Sequence, residues 1–90
     1  MDKRVHVVVS GKVQGIFFRS NIKNLADNLG IKGYVKNVEN DKLEAVFEGT
    51  NEAIEKMLEF CKEGPEEAEI SAIVTEEEQL KNEFINFSVV

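Results

Sequence analysis

Apolar side chains alternate at Val5, Val7 and Val9, and this period of two marks residues 4–10 as a strand with one strongly apolar face. Between residues 20 and 29 the period changes. Ile22, Leu25, Ala26 and Leu29 fall at helical spacing, and Gly30 supplies a C-terminal stop. Alternation returns over residues 31–37, where Ile31, Gly33 and Val35 face one way. A turn from Val38 to Asp41 leads into a third strand, Lys42 to Glu48, in which Leu43, Ala45 and Phe47 alternate with Glu44 and Glu48. Thr50 or Asn51 caps a second helix carrying Ala53, Ile54, Met57, Leu58 and Cys61, and Gly64-Pro65 ends it. Residues 69–75 and 83–89 read as a fourth strand and a final one.

The order β-α-β-β-α-β is the split βαβ, or ferredoxin-like, arrangement. It predicts an α+β two-layer sandwich: two helices on one face of an antiparallel sheet, with an extra C-terminal strand on one edge. Residues 1–90 form a single domain with no repeat, linker or low-complexity stretch. A helix connects strands one and two, so these run parallel and their C-terminal ends lie at one end of the sheet. The segment after strand one and Asn37 at the end of strand two are therefore expected to meet.

That segment carries candidate chemistry. The β-branched run ends at Ser10, Gly11 and Gly15 bracket a loop, and Arg19 closes it just before the helical pattern. Glycines let a loop turn its N–H groups toward one point. Convergent N–H groups at a helix N-terminus, with a guanidinium beside them, form an anion pocket suited to phosphate. A structural turn with an exposed arginine is the alternative that these residue types leave open. Of Phe17 and Phe18, at least one is expected to anchor the loop in the core. Gln14 is expected to contribute its backbone.

Net charge at first argues against anion binding, at −6. Its distribution reverses the argument. Residues 1–37 hold seven basic and two acidic side chains, a net of +5, whereas residues 38–90 hold four and fifteen, a net of −11. The positive half contains the loop and Asn37, and such asymmetry focuses an anionic ligand toward one end of a molecule. An acidic chain is a poor candidate for nucleic acid, which demands many phosphate contacts. Lys32-Gly33-Tyr34-Val35 echoes an RNA-binding motif, but that motif belongs on a third strand with exposed aromatics, and the third strand here reads LEAVFE. With 42% apolar and 31% charged residues, and no apolar run of about 20, the composition is that of a globular domain with no membrane segment. One cysteine, Cys61, excludes an internal disulfide and fits a cytoplasmic protein; one cysteine and one histidine exclude the usual structural zinc sets.

Gly11-Lys12-Val13-Gln14-Gly15-Ile16-Phe17-Phe18-Arg19 resembles the first signature of the acylphosphatases, Gly-(Arg or Lys)-Val-Gln-Gly-Val-x-(Phe or Tyr)-Arg, with Ile16 a conservative departure. Gly33-Tyr34-Val35-Lys36-Asn37 resembles the start of the second, and Glu48-Gly49 and Gly64-Pro65 fall where that family has them. The resemblance spans nearly the whole chain. It departs after Asn37, where the family has a glycine in the hairpin turn and this chain has Asn40-Asp41-Lys42; Asn and Asp tolerate the left-handed region best among non-glycine residues.

The resemblance implies hydrolysis of acyl phosphates to a carboxylate and inorganic phosphate, the latter both product and inhibitor. It assigns phosphate binding to the loop Gln14, Gly15, Ile16, Phe17, Phe18 and Arg19, and catalysis to Arg19 and Asn37, with Arg19 holding the phosphate and Asn37 positioning the attacking water. It calls for no metal or other cofactor, no membrane or nucleic-acid partner, and a monomer. The residue types agree. No histidine or carboxylate follows Ser10 or Ser20 to activate a nucleophile, which disfavours covalent catalysis. An anion cradle, a guanidinium and a neutral amide suit a leaving group that departs unaided, as a carboxylate does above its pKa of about 4. An alkyl phosphate monoester would need an acid or metal. The alternative is a domain that binds a carbamoyl- or acyl-phosphate-like ligand for a larger protein, as at the front of a hydrogenase-maturation protein; a length of 90 residues favours a stand-alone enzyme.

Overall fold

A computed structural model describes residues 2–90. Five strands and two helices follow in the order β1 (Asp2–Lys12), α1 (Phe18–Leu29), β2 (Lys32–Val38), β3 (Lys42–Thr50), α2 (Asn51–Glu63), β4 (Glu69–Glu78) and β5 (Phe87–Val89). They form one sheet in the order β4-β1-β3-β2-β5. Both helices lie on one face, α1 over β2 and β5, α2 over β1, β3 and β4. The alternation in the sequence builds the core between the layers. Val5, Val7 and Val9 of β1 and Leu43, Ala45 and Phe47 of β3 are buried against Phe18, Ile22 and Ala26 of α1 and Ile54, Met57 and Cys61 of α2. Each buried Val, Leu, Ile, Phe or Met side chain among them stabilises the fold by about 1.5–3 kcal/mol.

The register fixes what meets at each end. β1 and β3 pair antiparallel from Asp2↔Thr50 to Ser10↔Lys42, and β2 pairs β3 from Lys32↔Glu48 to Val38↔Lys42. The ends of β1 and β2 therefore share one end of the sheet, as the helical connection requires. In β1 the register against β4 shifts between Ser10 and Gly11, a bulge. Gly11 has φ 128°, and a Cβ there would run into the carbonyl of Glu69, so glycine is needed at this close approach.

The structure refines the expectations in four places. First, the sheet is mixed: β5 pairs with the β2 edge in parallel, Gly33↔Phe87 to Val35↔Val89. Second, the last strand is shorter than residues 83–89, because residues 79–86 are spent crossing the open face of the sheet from β4 to β5. Phe84 packs there edge-on to Tyr34, at 6.0 Å, and over the Arg4 guanidinium, at 5.2 Å. Third, Glu76 to Glu78 belong to β4, and Glu78 binds Arg4. Fourth, the left-handed residue of the β2–β3 turn is Glu39, φ 57°, with no such conformation at Asn40 or Asp41.

Candidate active site

The loop between β1 and α1 buries most of its apolar side chains and exposes one. Val13 and Phe18 are buried, and Ile16 packs against the core. Phe18 meets Phe60 of α2 edge to face at 5.7 Å and is the loop's aromatic anchor. Phe17 points the other way and is 79% exposed. The switch takes place at a left-handed backbone, φ 62° and ψ 18° at Phe17, directly before the helix. This is why α1 begins at Phe18, two residues before the apolar periodicity becomes visible. A bulky residue in this region is a true outlier and marks a place where the surroundings override local preference. Gly15 is also left-handed, φ 73°.

The start of α1 has no side-chain cap and no acidic residue in its first turn. Its first N–H groups and the positive end of its dipole are thereby left facing the loop. A cavity of about 360 Å³ lies at this point. Val13, Gly15 and Phe17 line it from the loop, Phe18, Arg19 and Ser20 from the helix start, and Val89 from β5. Arg19 is half-buried and forms no ion pair among the described residues. Of the residues expected in the loop, Gly15, Phe17, Phe18 and Arg19 reach the cavity; Gln14 and Ile16 support it from behind.

Gln14 has a larger part than its backbone. Its Nε2 donates to the carbonyls of Glu39 and Lys42, both at 2.9 Å, with Val38 O at 3.5 Å. The N–H of Gly11 donates to Asp41 O at 2.9 Å. These bonds tie the loop to the β2–β3 turn and hold the left-handed Glu39 in place. Lys42 closes the turn through Glu39, at 3.1 Å, and Asp41, at 3.5 Å. The bond to Glu39 and the neighbouring Asp41 charge raise its pKa above the ordinary lysine value.

Asn37 stands on β2 on the face shared with Gly33 and Val35, the face that carries α1. Val35 pairs with Val89, a wall of the cavity, and Asn37 lies one strand repeat further toward the loop. It does not itself line the cavity surface. Its Oδ1 is fully buried and finds no hydrogen-bond partner among the described residues. Buried amide oxygens are seldom left so, because the desolvated acceptor costs about 1–3 kcal/mol.

Other polar groups are committed elsewhere. His6 lies on the open face of the sheet with Nε2 2.7 Å from Glu44, and Lys36 is 3.4 Å from the same carboxylate. The bond to His6, aided by Lys36, keeps the Glu44 carboxyl below its ordinary pKa. Cys61 is buried in α2, and desolvation pushes its thiol up to about 12, so it stays protonated and inert. No three His, Cys, Asp or Glu side chains gather as metal ligands among the described residues. No helix of the described residues is long and apolar enough to cross a membrane.

Known proteins share both the sequence and the arrangement. The family model described as Acylphosphatase matches residues 5–89. An acylphosphatase of Pelotomaculum thermopropionicum is 43% identical over 86 residues, covering 96% of this chain and 94% of its own length. The structure of an acylphosphatase from Coxiella burnetii superposes with a TM-score of 0.92 at 36% identity, over 99% of this chain and 93% of that one. Full-length HypF, in its phosphate- and nucleotide-bound form, contains a similar unit: TM-score 0.90, 28% identity, 100% of this chain and 12% of that one. The chain belongs to the acylphosphatase family.

Proposed function

We propose that this chain is an acylphosphatase that hydrolyses the carboxyl–phosphate bond without a metal and without a covalent intermediate. Family membership and the named relatives support the activity. The unpaired Arg19 beside the uncapped start of α1 carries the reading of how it is done. Arg19 and the N–H groups of residues 15–19 hold the three phosphoryl oxygens, offsetting their charge with donors already in position. The Asn37 amide orients a water on the side of the phosphorus away from the acyl oxygen. Water attacks there, the P–O bond to the carboxylate breaks, and the leaving group departs as a stable anion. The water's proton passes to a phosphoryl oxygen, so no protein base is needed. In a loose phosphoryl-transfer transition state, positioning and electrostatics supply most of the acceleration.

Two observations support the non-covalent route. Ser20 borders the cavity, yet no histidine or carboxylate bonds to it among the described residues, while His6 is held by Glu44 on the opposite face. An unactivated serine hydroxyl is a weak nucleophile. The product, inorganic phosphate, keeps the groups that Arg19 and the amides bind and is expected to inhibit competitively. The single buried thiol asks for no oxidising compartment, in keeping with the cytoplasm. Phosphate release from acetyl phosphate in EDTA, set against an alkyl phosphate monoester, tests the proposal. Turnover of the first alone is expected; activity lost to EDTA and restored by a divalent metal overturns the mechanism.

A further inference from the structure

Of the seven residues that line the cavity at the start of α1, only Arg19 and Ser20 carry polar side chains. The mechanism uses the first and gives the second no part. Ser20 is the third residue of α1, and a hydroxyl near a helix start has an ordinary explanation, capping. The structure does not use it so. The N-cap position is Phe17, with no side-chain bond, and the Ser20 hydroxyl makes no hydrogen bond among the described residues. Helix α2 shows the contrast. There the hydroxyl stands at the N-cap itself, and Thr50 Oγ1 accepts from Ala53 N at 3.2 Å.

The backbone of Ser20 is free as well. The first bond of α1 runs from Asn21 N–H to the Phe17 carbonyl, at 3.0 Å, so the N–H of Ser20 has no helical partner. Cα–Cβ bonds in a helix tilt toward its N-terminus, which turns the Ser20 hydroxyl toward the same end as that N–H. Successive helical residues lie about 100° apart around the axis. Arg19 and Ser20 therefore reach one cavity only because it lies across the helix end, not along one flank.

From this arrangement we infer that Ser20 is a further ligand of the transferred phosphoryl group, its hydroxyl donating to a non-bridging oxygen on the side of the helix end that Arg19 leaves uncovered. The inference rests on the acylphosphatase reading and adds a binding residue to it. A hydroxyl proton rotates to suit its acceptor, and a bond to an anionic oxygen is stronger than one between neutral groups. The rest of the lining, Val13, Gly15, Phe17, Phe18 and Val89, offers no side-chain acceptor that competes for this proton. Ser20 donates a hydrogen bond and keeps its proton; water remains the nucleophile. Non-bridging oxygens are present in substrate, transition state and product alike. The bond therefore acts on binding constants more than on kcat.

Inorganic phosphate is the probe for binding and acetyl phosphate the probe for turnover. In Ser20→Ala the phosphate dissociation constant from calorimetry, the phosphate inhibition constant and KM for acetyl phosphate are expected to rise together by about 5–10-fold. That is the lower end of what a hydrogen bond to an anion supplies, since Ser20 is exposed to water. The value of kcat stays close to wild type, and the melting temperature does not fall, because alanine is the best helix former. Ser20→Thr, which keeps the hydroxyl, brings the three constants back toward wild type. Constants unchanged in Ser20→Ala overturn the inference. So does a Ser20→Thr protein that binds as weakly as Ser20→Ala, and so does a fall in kcat with phosphate binding intact. Wild type that releases no phosphate from acetyl phosphate refutes the acylphosphatase reading, a distinct failure, and the calorimetric comparison of the variants still decides whether Ser20 binds the anion.

Discussion

The two ends of the sheet each hold an arginine, and they are treated in opposite ways. At the end where β1 begins, Arg4 is 7% exposed and meets three carboxylates: Glu83 at 2.6 Å, Glu78 at 2.9 Å and Glu48 at 3.2 Å. Glu48 also accepts the backbone N–H of Lys81. Burial works against the Arg4 charge, but the hydrogen bonds it donates to Glu78, Glu83 and Glu48 outweigh it and raise its pKa above the ordinary arginine value. The helix starting at this end is capped, with Thr50 Oγ1 accepting from Ala53 N at 3.2 Å and Glu52 in the first turn. At the other end, among the described residues, Arg19 has no carboxylate partner, α1 has no side-chain cap, and the Asn37 amide oxygen has no donor. One end is electrostatically complete and holds the crossing segment 79–86 to the sheet. The other is incomplete in three places, two of them bordering the cavity and the third, Asn37, buried away from its surface. An arrangement of unsatisfied donors, acceptor and cation is costly for folding and useful only to a ligand that completes it.

The largest effect is expected from removing the incomplete arginine. On the proposed mechanism, Arg19→Ala lowers kcat/KM by about 10³-fold or more, the scale of a guanidinium serving a transferring phosphoryl group. Its melting temperature should stay close to wild type, since no folded-state partner is lost. Arg19→Lys recovers little, because one ammonium cannot reproduce the planar two-pronged fork. Near-normal rates in the lysine variant would reduce the requirement to a point charge. The complete arginine is expected to behave in reverse. Arg4→Ala strands the buried Glu48 carboxylate and costs about 3–5 kcal/mol of stability, a large share of the roughly 5–13 kcal/mol available to a chain this size. Well below its lowered melting temperature the variant keeps its kcat. A stable Arg4→Ala protein with impaired turnover would show that the two ends are not separable.

Legibility in the sequence followed the same divide. Features set by local period and local chemistry were readable: the burial of Val5, Val7, Val9, Leu43, Ala45 and Phe47, the stop at Gly30, and the clustering of a glycine loop with Arg19 ahead of a helix. The meeting of loop and β2 end was readable too, because a helical crossover dictates it. Features set by register across distant segments were not. Arg4 finds Glu48, Glu78 and Glu83 from 44 to 79 residues away, and nothing in its neighbours signals this. Gln14 looked like a backbone contributor because its acceptors belong to a turn 24 to 28 residues on. The crossing segment made Val46 and Glu48 buried on a face that alternation alone marks as solvent-facing. The opposite fates of Phe17 and Phe18 depend on one left-handed residue, which composition favours at glycine or asparagine and not at phenylalanine.

Asn37 gives the finest test of the comparison, because it asks whether the incomplete end is incomplete for binding or for chemistry. If Arg19 and the loop amides hold the phosphoryl group, Asn37→Ala retains competitive inhibition by inorganic phosphate with a similar constant. If the amide orients the water through a bond that strengthens in the transition state, kcat falls by about 10²–10³-fold, the usual scale for one preorganised group. That corresponds to about 3–4 kcal/mol of transition-state stabilisation. Folding should not suffer, since the deletion removes a buried acceptor that has no partner in the fold, and a small gain in melting temperature is expected. Asn37→Asp keeps the size but sets a negative charge near an anionic ligand, so it should weaken phosphate binding as well. A residue that only shapes the β2–β3 turn would behave differently, with a lower melting temperature and modest kinetic damage. The measurements are kcat, the phosphate inhibition constant and thermal stability on one variant, and a stable Asn37→Ala protein that keeps most of its kcat would remove Asn37 from the mechanism.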